Sequence, residues 1–186
     1  MRVTGGDLRG RTLTAPYGLQ VRPTTDKIRQ AIFNILAYET PDARALDLFC
    51  GSGALGIEAL SRGAESVIFV DQGAKSITAL KENLASLGLD GEILKHDWRE
   101  AVRRLRGRGV QCGLVFADPP YRRVSASTIW RALTEKPDQS PSLLAEGGIL
   151  IIESAADETP AQRARILKER VFGQTKVTFY THPNPE

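Results

Sequence analysis

The segment Asp47-Leu48-Phe49-Cys50-Gly51-Ser52-Gly53-Ala54-Leu55-Gly56 joins an apolar strand, a tight glycine turn and the start of a helical pattern. Glycines adopt positive φ and let the backbone approach a bound ligand closely. Asp71 ends the next apolar run, twenty positions after Gly51. A carboxylate in that place can accept hydrogen bonds from both hydroxyls of a ribose.

Short apolar segments and helical patterns alternate along the chain after this turn. One helix carries its apolar residues at Ile77, Leu80, Leu84 and Leu87. The alternation predicts an α/β fold with a doubly wound, mostly parallel sheet, because helices of this length connect parallel strands. The predicted strands are 45–49, 66–71, 91–95, 113–117 and 148–153. Further helices are predicted over 97–105, around 129–133 with 143–144, and over 160–168. An antiparallel pair of strands is predicted at 169–172 and 175–180.

Residues 1–40 precede the alternating pattern. Residues 8–13 predict a hairpin or arm, and Thr24-Thr25-Asp26 offers N-cap chemistry to a helix ending near Tyr38. We therefore divide the chain into an N-terminal arm with its helix, residues 1–40, and a larger domain, residues 41–186.

Sheets of this kind bind ligands outside the carboxyl ends of their strands. The glycine turn, Asp71, Asp97 and Asp118 are all expected at that edge. Gly51, Gly53 and Gly56 with Asp71 satisfy the fingerprint of a dinucleotide site, and a turn that serves packing alone is a further alternative.

Two acidic residues favour S-adenosyl-L-methionine over a dinucleotide. Asp47, four residues before the first glycine, is suited to the ammonium group of that ligand and is awkward beside a pyrophosphate. Asp97, or the backbone of Trp98, is suited to the adenine amino group. The predicted cofactor-binding residues are Asp47, Phe49, Gly51, Ser52, Gly53, Asp71, Gln72, Asp97 and Trp98.

Asp118-Pro119-Pro120-Tyr121 directly follows the fourth predicted strand, which we expect beside the first strand and the methyl donor. An aromatic amino group is a poor nucleophile because its lone pair is delocalised into the ring. The Asp118 carboxylate and the Pro119 carbonyl can accept hydrogen bonds from its two N–H groups. These acceptors offset the positive charge that develops on the nitrogen during methyl transfer. The prolines stiffen the loop, and Tyr121 can stack on an unpaired base. This tetrapeptide predicts methylation of a base amino group, although paired prolines also end strands without any further role.

Composition excludes several other classes of protein. The 186 residues are 41% hydrophobic and 25% charged, which is typical of an ordinary globular domain. Two cysteines and two histidines stand isolated, so we expect no metal site. The apolar runs are strand-sized and the N-terminus lacks a signal-peptide core, so we expect a cytoplasmic protein without a membrane partner.

Positive charge is uneven along the chain. The net charge is +3, but residues 1–30 carry +4 and residues 95–123 carry +5. Such segments suit a polyanion, since Lys and Arg supply affinity for phosphates. A solvated helix face at Arg99, Arg103, Arg104, Arg106 and Arg108 is an equally good interpretation.

The motifs together resemble the bacterial 16S rRNA guanine-N2 methyltransferase family, from the Gly6–Arg11 arm to the C-terminal strands. The specific part is Arg22-Pro23-Thr24-Thr25-Asp26-Lys27-Ile28-Arg29, since the glycine turn and the Asp118 loop are shared by many amino-methyltransferases. The resemblance implies a seven-stranded, Rossmann-like methyltransferase sheet. It also implies that the 1–40 segment helps to bind RNA and cofactor.

Residue by residue, the resemblance assigns the guanine to Asp118, Pro119 and Tyr121, and Pro120 completes the predicted catalytic loop. For Thr24 and Thr25, a helix cap is an equal alternative to RNA contact. The implied partner is 16S rRNA in the 30S subunit or its assembly intermediate, bound by a monomer, with S-adenosyl-L-homocysteine as product. An N6-adenine methyltransferase remains the main alternative and an NAD-dependent oxidoreductase a remote one. The predicted RNA-binding residues are Arg9, Arg11, Arg22, Thr24, Thr25, Arg29, Arg122 and Arg123.

Overall fold

The computed structural model describes residues 1–15, 25–120, 123–135 and 141–182. The helices are α1 (Asp26–Ile35), α2 (Ala54–Ser61), α3 (Ala74–Leu87), α4 (Trp98–Gly107) and α5 (Ala126–Thr134). The strands are β1 (Arg44–Asp47), β2 (Ser66–Val70), β3 (Glu92–Leu94), β4 (Cys112–Ala117), β5 (Leu144–Ala155), β6 (Arg165–Phe172) and β7 (Thr175–Thr181).

The chain folds into two compact units, Met1–Trp98 and Arg99–Glu186. In the first unit, β2 pairs in parallel with β1 and with β3. In the second, β4 and β5 are parallel, and β7 runs antiparallel to both β5 and β6. The predicted fold class, a mostly parallel seven-stranded α/β sheet with an antiparallel C-terminal strand, is confirmed.

The N-terminal arm is a closed hairpin that packs on α2. Val3 donates its backbone N–H to the Arg11 carbonyl at 2.9 Å, and Arg2 and Thr12 form an antiparallel bridge. Val3 and Leu13 are buried. The Ser61 hydroxyl, at the end of α2, donates to the Gly5 carbonyl at 2.7 Å. The functional division of the chain at residue 40 stays a prediction.

Two of the predicted helical segments are wrong. Residues 160–168 contain good helix formers, but Arg163 has φ of +65° and the chain enters β6 at Arg165. Pairing with β7 therefore overrides local helix propensity, as tertiary context commonly does. Leu143 and Leu144 likewise lead into β5; Leu143 accepts a hydrogen bond from the Cys112 N–H at 2.8 Å.

Within the described part of the chain, no helix is long and apolar enough to cross a bilayer.

Candidate functional site

Asp71 holds the glycine turn against the carboxyl end of β2. Its Oδ2 accepts the Gly51 N–H at 2.9 Å and its Oδ1 accepts the Gly73 N–H at 2.7 Å. The carboxylate thus joins the turn to the start of α3. Each oxygen has a second lone pair, so Asp71 retains acceptor capacity for the hydroxyls of a ligand.

The three glycines of the turn serve different purposes. Gly51 has φ of +52°, and no described atom lies within 4 Å of the position that a Cβ would occupy there. Gly53 has φ of +85°, and a Cβ would lie 2.4 Å from Leu80 Cδ1. On Gly56, a Cβ would lie 2.3 Å from the Phe69 ring, so this glycine lets α2 pack closely on β2. Gly51 alone leaves space where a ligand can approach the backbone.

Asp47 lies beneath the turn and is 1% exposed. Its Oδ2 accepts the Gly56 N–H at 2.9 Å, near the start of α2. Burial, with a smaller contribution from the negative charge of Asp71, raises the pKa of Asp47 to about 7, against the lowering effect of the Gly56 N–H. The carboxyl group is therefore poised between its neutral and charged forms near neutral pH.

The other predicted cofactor residues of the first unit lie at the same strand ends. The Asp71 N–H donates to the Leu94 carbonyl at 3.3 Å, which brings the ends of β2 and β3 together. Phe49 and Trp98 have ring centroids 5.9 Å apart. Asp97 and Gln72 are exposed, whereas Ser52 is buried.

The thiol of Cys50 is buried, and its surroundings disfavour the reactive thiolate. Burial, with the nearby charges of Asp47 and Asp71, raises its pKa well above the ordinary value, so the thiol stays protonated at neutral pH. Among the described residues, no group of three or more His, Cys, Asp or Glu side chains could hold a metal ion.

The Asp118 loop belongs to the second unit, where it follows β4 directly. Asp118 is half-buried, Pro119 is buried and Pro120 is exposed. The Pro120 carbonyl accepts the Arg123 N–H at 3.1 Å. Tyr121 and Arg122 lie outside the described residues.

Three of the predicted RNA-binding arginines have exposed side chains: Arg9, Arg11 and Arg123. Arg11 also donates to the Ser86 carbonyl on α3 at 3.1 Å. Thr25 is the N-cap of α1, with its side chain accepting the Ile28 N–H at 3.3 Å, so the cap interpretation is confirmed for this residue. Arg22 and Thr24 lie outside the described residues.

Arg29 requires a correction, because its side chain is fully buried and cannot meet RNA from this position. It donates to Glu58 at 3.2 Å and to Asp26 at 2.9 Å, and it also donates to the Arg2 carbonyl. A charged residue is tolerated inside a protein only when it is paired in this way. Arg29 therefore holds α1 and the arm together.

Glu58, at the centre of this cluster, was not predicted from the sequence. Its side chain has no exposed surface, and it accepts the backbone N–H and the hydroxyl of Thr4, both at 2.7 Å. Arg62 donates to the same carboxylate at 2.8 Å. An acidic residue inside the otherwise apolar helix Ala54–Ser61 was the available signal.

Asn83 is the second residue that the sequence did not reveal. It is 1% exposed on the apolar face of α3. Its Oδ1 accepts the Thr14 N–H at 2.8 Å, and its Nδ2 donates to the carbonyls of Thr14 and Ser52, both at 3.0 Å. The signal was a polar residue three positions after Leu80 and next to Leu84, on the apolar face of the helix, since a buried amide needs partners.

A family model described as "Conserved hypothetical protein 95" matches residues 1–181. The chain is 37% identical to "Putative rRNA methyltransferase YlbH" of Bacillus subtilis (strain 168), over 97% of this chain and 98% of that protein. It is 33% identical to "Ribosomal RNA small subunit methyltransferase D" of Escherichia coli (strain K12), over 97% of this chain and 89% of that protein. The solved structure of "Putative methyltransferase yhhF from Escherichia coli" is similar with a TM-score of 0.82 at 32% identity, covering 100% of this chain and 99% of that one.

Proposed function

The chain belongs to the family described as conserved hypothetical protein 95, and on that premise we propose that it methylates RNA. The reaction is transfer of a methyl group from S-adenosyl-L-methionine to the exocyclic N2 of a guanine in 16S rRNA. One observation carries the proposal: the glycine turn lies between the carboxylates of Asp47 and Asp71, in a chain similar over nearly its whole length to ribosomal RNA methyltransferases.

The residues around the turn fit S-adenosyl-L-methionine. The open space at Gly51 admits a ligand, and Asp71 has acceptor capacity left for the ribose hydroxyls. Asp47 would pair with the ammonium group. Asp97 and the Trp98 backbone would contact the adenine, with Phe49, Ser52, Gly53 and Gln72 completing the site. When bound, this cofactor supplies an electrophilic methyl group on a positively charged sulfonium.

The protein has to orient the base and to stabilise the positive charge that develops on its amino nitrogen during methyl transfer. In this proposal, the Asp118 carboxylate and the Pro119 carbonyl each accept a hydrogen bond from one N–H of the guanine amino group. These acceptors favour the charge distribution of the transition state, since positive charge grows on the nitrogen. Pro119 and Pro120 limit the rotation of the loop, so the acceptors are in place before the base arrives. Tyr121 stacks on the base.

The proposed partner is 16S rRNA in the 30S subunit or its assembly intermediate, acted on by a monomer in the cytoplasm. The relative from Escherichia coli is named for the small subunit, which supports this substrate. Arg9, Arg11 and Arg123 are exposed and would contact phosphates.

Mass spectrometry of modified RNA tests the proposal. We expect labelled S-adenosyl-L-methionine and this protein to methylate 30S particles from a strain that lacks the enzyme, with N2-methylguanosine as the product. N6-methyladenosine as the product would instead support an N6-adenine methyltransferase, since the Asp-Pro-Pro-Tyr loop also fits an adenine amino group. No incorporation into 30S particles, their precursors or free 16S rRNA would overturn the proposed substrate.

The affinity for S-adenosyl-L-methionine is expected to depend on the charge of Asp47. Because burial raises the pKa of this residue to about 7, the neutral acid predominates below that pH and only the carboxylate pairs with a cation. The ligand's α-amino group stays charged up to about pH 7.5. Calorimetry between about pH 5.5 and pH 7 should therefore show affinity rising by roughly tenfold. Asp47→Asn should bind weakly and with a flat profile; an unchanged slope would assign the pH dependence to another group.

Neutralising Arg9 and Arg11 should weaken RNA binding and flatten its salt dependence. Each lost phosphate contact reduces the slope of log affinity against log salt by roughly 0.7. Filter binding of Arg9→Gln/Arg11→Gln against Arg103→Gln/Arg104→Gln separates the arm from α4, where Glu100 pairs with both arginines. A slope that falls only in the α4 variant would move the RNA contact from the arm to that helix.

A further inference from the structure

The carboxamide of Asn83 joins two parts of the first unit that are distant in sequence. It meets both backbone polar groups of Thr14 in the arm and the carbonyl of Ser52 in the glycine turn. Three of the four hydrogen-bonding positions of the amide are thereby used. Because this residue is almost fully buried, losing any of these partners would leave a polar group without water to replace it.

The contact with Ser52 orients the peptide that forms the middle of the turn. A peptide unit is planar, so holding the Ser52 carbonyl also directs the N–H of Gly53. That N–H donates to the Cys50 carbonyl at 2.7 Å and closes the turn. Asp71 holds the neighbouring N–H of Gly51. Two side chains from outside the turn, Asp71 and Asn83, therefore fix its conformation.

The arm has a second contact with the same stretch of α3. Arg11 donates to the Ser86 carbonyl, and the Ser86 hydroxyl donates to the Asn83 carbonyl at 2.9 Å. The basic arm and the residue that braces the turn are thus connected through one helical turn. Arg11 and Thr14 are three residues apart in the arm, so a partner that binds Arg11 would restrain Thr14 beside Asn83.

We propose that Asn83 is a positioning residue that couples the arm to the cofactor turn, so that RNA bound by the arm tightens cofactor binding. This inference rests on the proposed function. RNA that holds the arm keeps Thr14 on Asn83 and keeps the Ser52–Gly53 peptide in its binding orientation, which removes an ordering cost from cofactor binding. By linkage, the cofactor tightens RNA binding by the same factor.

Equilibrium dialysis with labelled S-adenosyl-L-homocysteine, with and without saturating unmethylated 30S particles, measures this coupling without turnover. For the unaltered protein, we expect the particles to lower the Kd by about fivefold or more. Asn83→Leu should reduce that change to less than about twofold, whereas Thr78→Leu, at an exposed threonine on α3, should retain it. In steady-state assays Asn83→Leu should raise the KM for S-adenosyl-L-methionine and leave kcat nearly unchanged.

A matched pair at position 14 decides the question if Asn83→Leu fails to fold. Thr14→Pro removes the N–H that Asn83 accepts, while Thr14→Ala keeps both backbone groups, so only the proline variant should lose the coupling. Equal coupling in the two variants, or in Asn83→Leu and the unaltered protein, would overturn the inference. If the unaltered protein methylates RNA but shows no coupling, only this inference fails. If it binds no S-adenosyl-L-homocysteine, the proposed function itself fails.

Discussion

Replacing Asp118 with alanine is expected to slow methyl transfer by about 10²- to 10³-fold, which is the usual effect of removing one acceptor or donor matched to transition-state charge. The methyl group of alanine cannot accept a hydrogen bond, so the amino group of the base loses one of its two acceptors. Cofactor affinity should stay nearly unchanged, because the proposed partner of Asp118 is the base. Single-turnover assays on 30S particles measure the first quantity and calorimetry the second.

Two further variants make this result interpretable. Asp118→Asn keeps a carbonyl acceptor without the charge and should fall between the alanine variant and the unaltered enzyme. Asp90→Ala removes an exposed carboxylate after α3 and should leave the rate unaltered. If Asp118→Ala lost cofactor affinity in proportion to its rate, the role assigned to this carboxylate would be incorrect.

The sequence predicted the strands and the cofactor turn well because both depend on local patterns. Glycines at fixed spacing and a carboxylate at the end of the next strand are detectable without tertiary information. The structure adds that Asp71 holds the turn through Gly51 and Gly73. The binding roles of these residues remain predictions.

Errors arose where long-range contacts decided the outcome. Residues 160–168 have helical propensity, yet β6 begins at Arg165 and extends the predicted antiparallel pair of 169–172 with 175–180 by further pairing with β7. Arg29 was predicted to contact RNA from the resemblance to the rRNA methyltransferase family, whereas its side chain is buried. Its buried partner, Glu58, lies twenty-nine positions away. Glu58 is an acidic residue in the otherwise apolar helix α2, and such a residue needs a buried basic partner, which here is Arg29.

Removing the buried carboxylate of Glu58 is expected to lower the stability of the protein substantially. Glu58→Ala would leave the buried guanidinium of Arg29 without its buried carboxylate partner, and Thr4 would lose both acceptors. Breaking a buried ion pair from one side destabilises a protein by about 3–5 kcal/mol. Urea unfolding followed by circular dichroism should show that loss in the free energy of unfolding, with the arm released first because Thr4 contacts the carboxylate directly.

The exposed pair on α4 is the matched control. Glu100 forms ion pairs with Arg103 and Arg104 at the surface, where solvent screening limits each pair to about 1 kcal/mol or less. Glu100→Ala should therefore unfold nearly as the unaltered protein does. Replacing both members of the fully buried pair, as Glu58→Leu/Arg29→Met, should recover part of the lost stability, because neither member is then left without the other. The recovery should be incomplete, since Thr4 and Arg62 still lose their acceptor. If Glu58→Ala proved no more costly than Glu100→Ala, the buried cluster would not be what fastens the arm to α2.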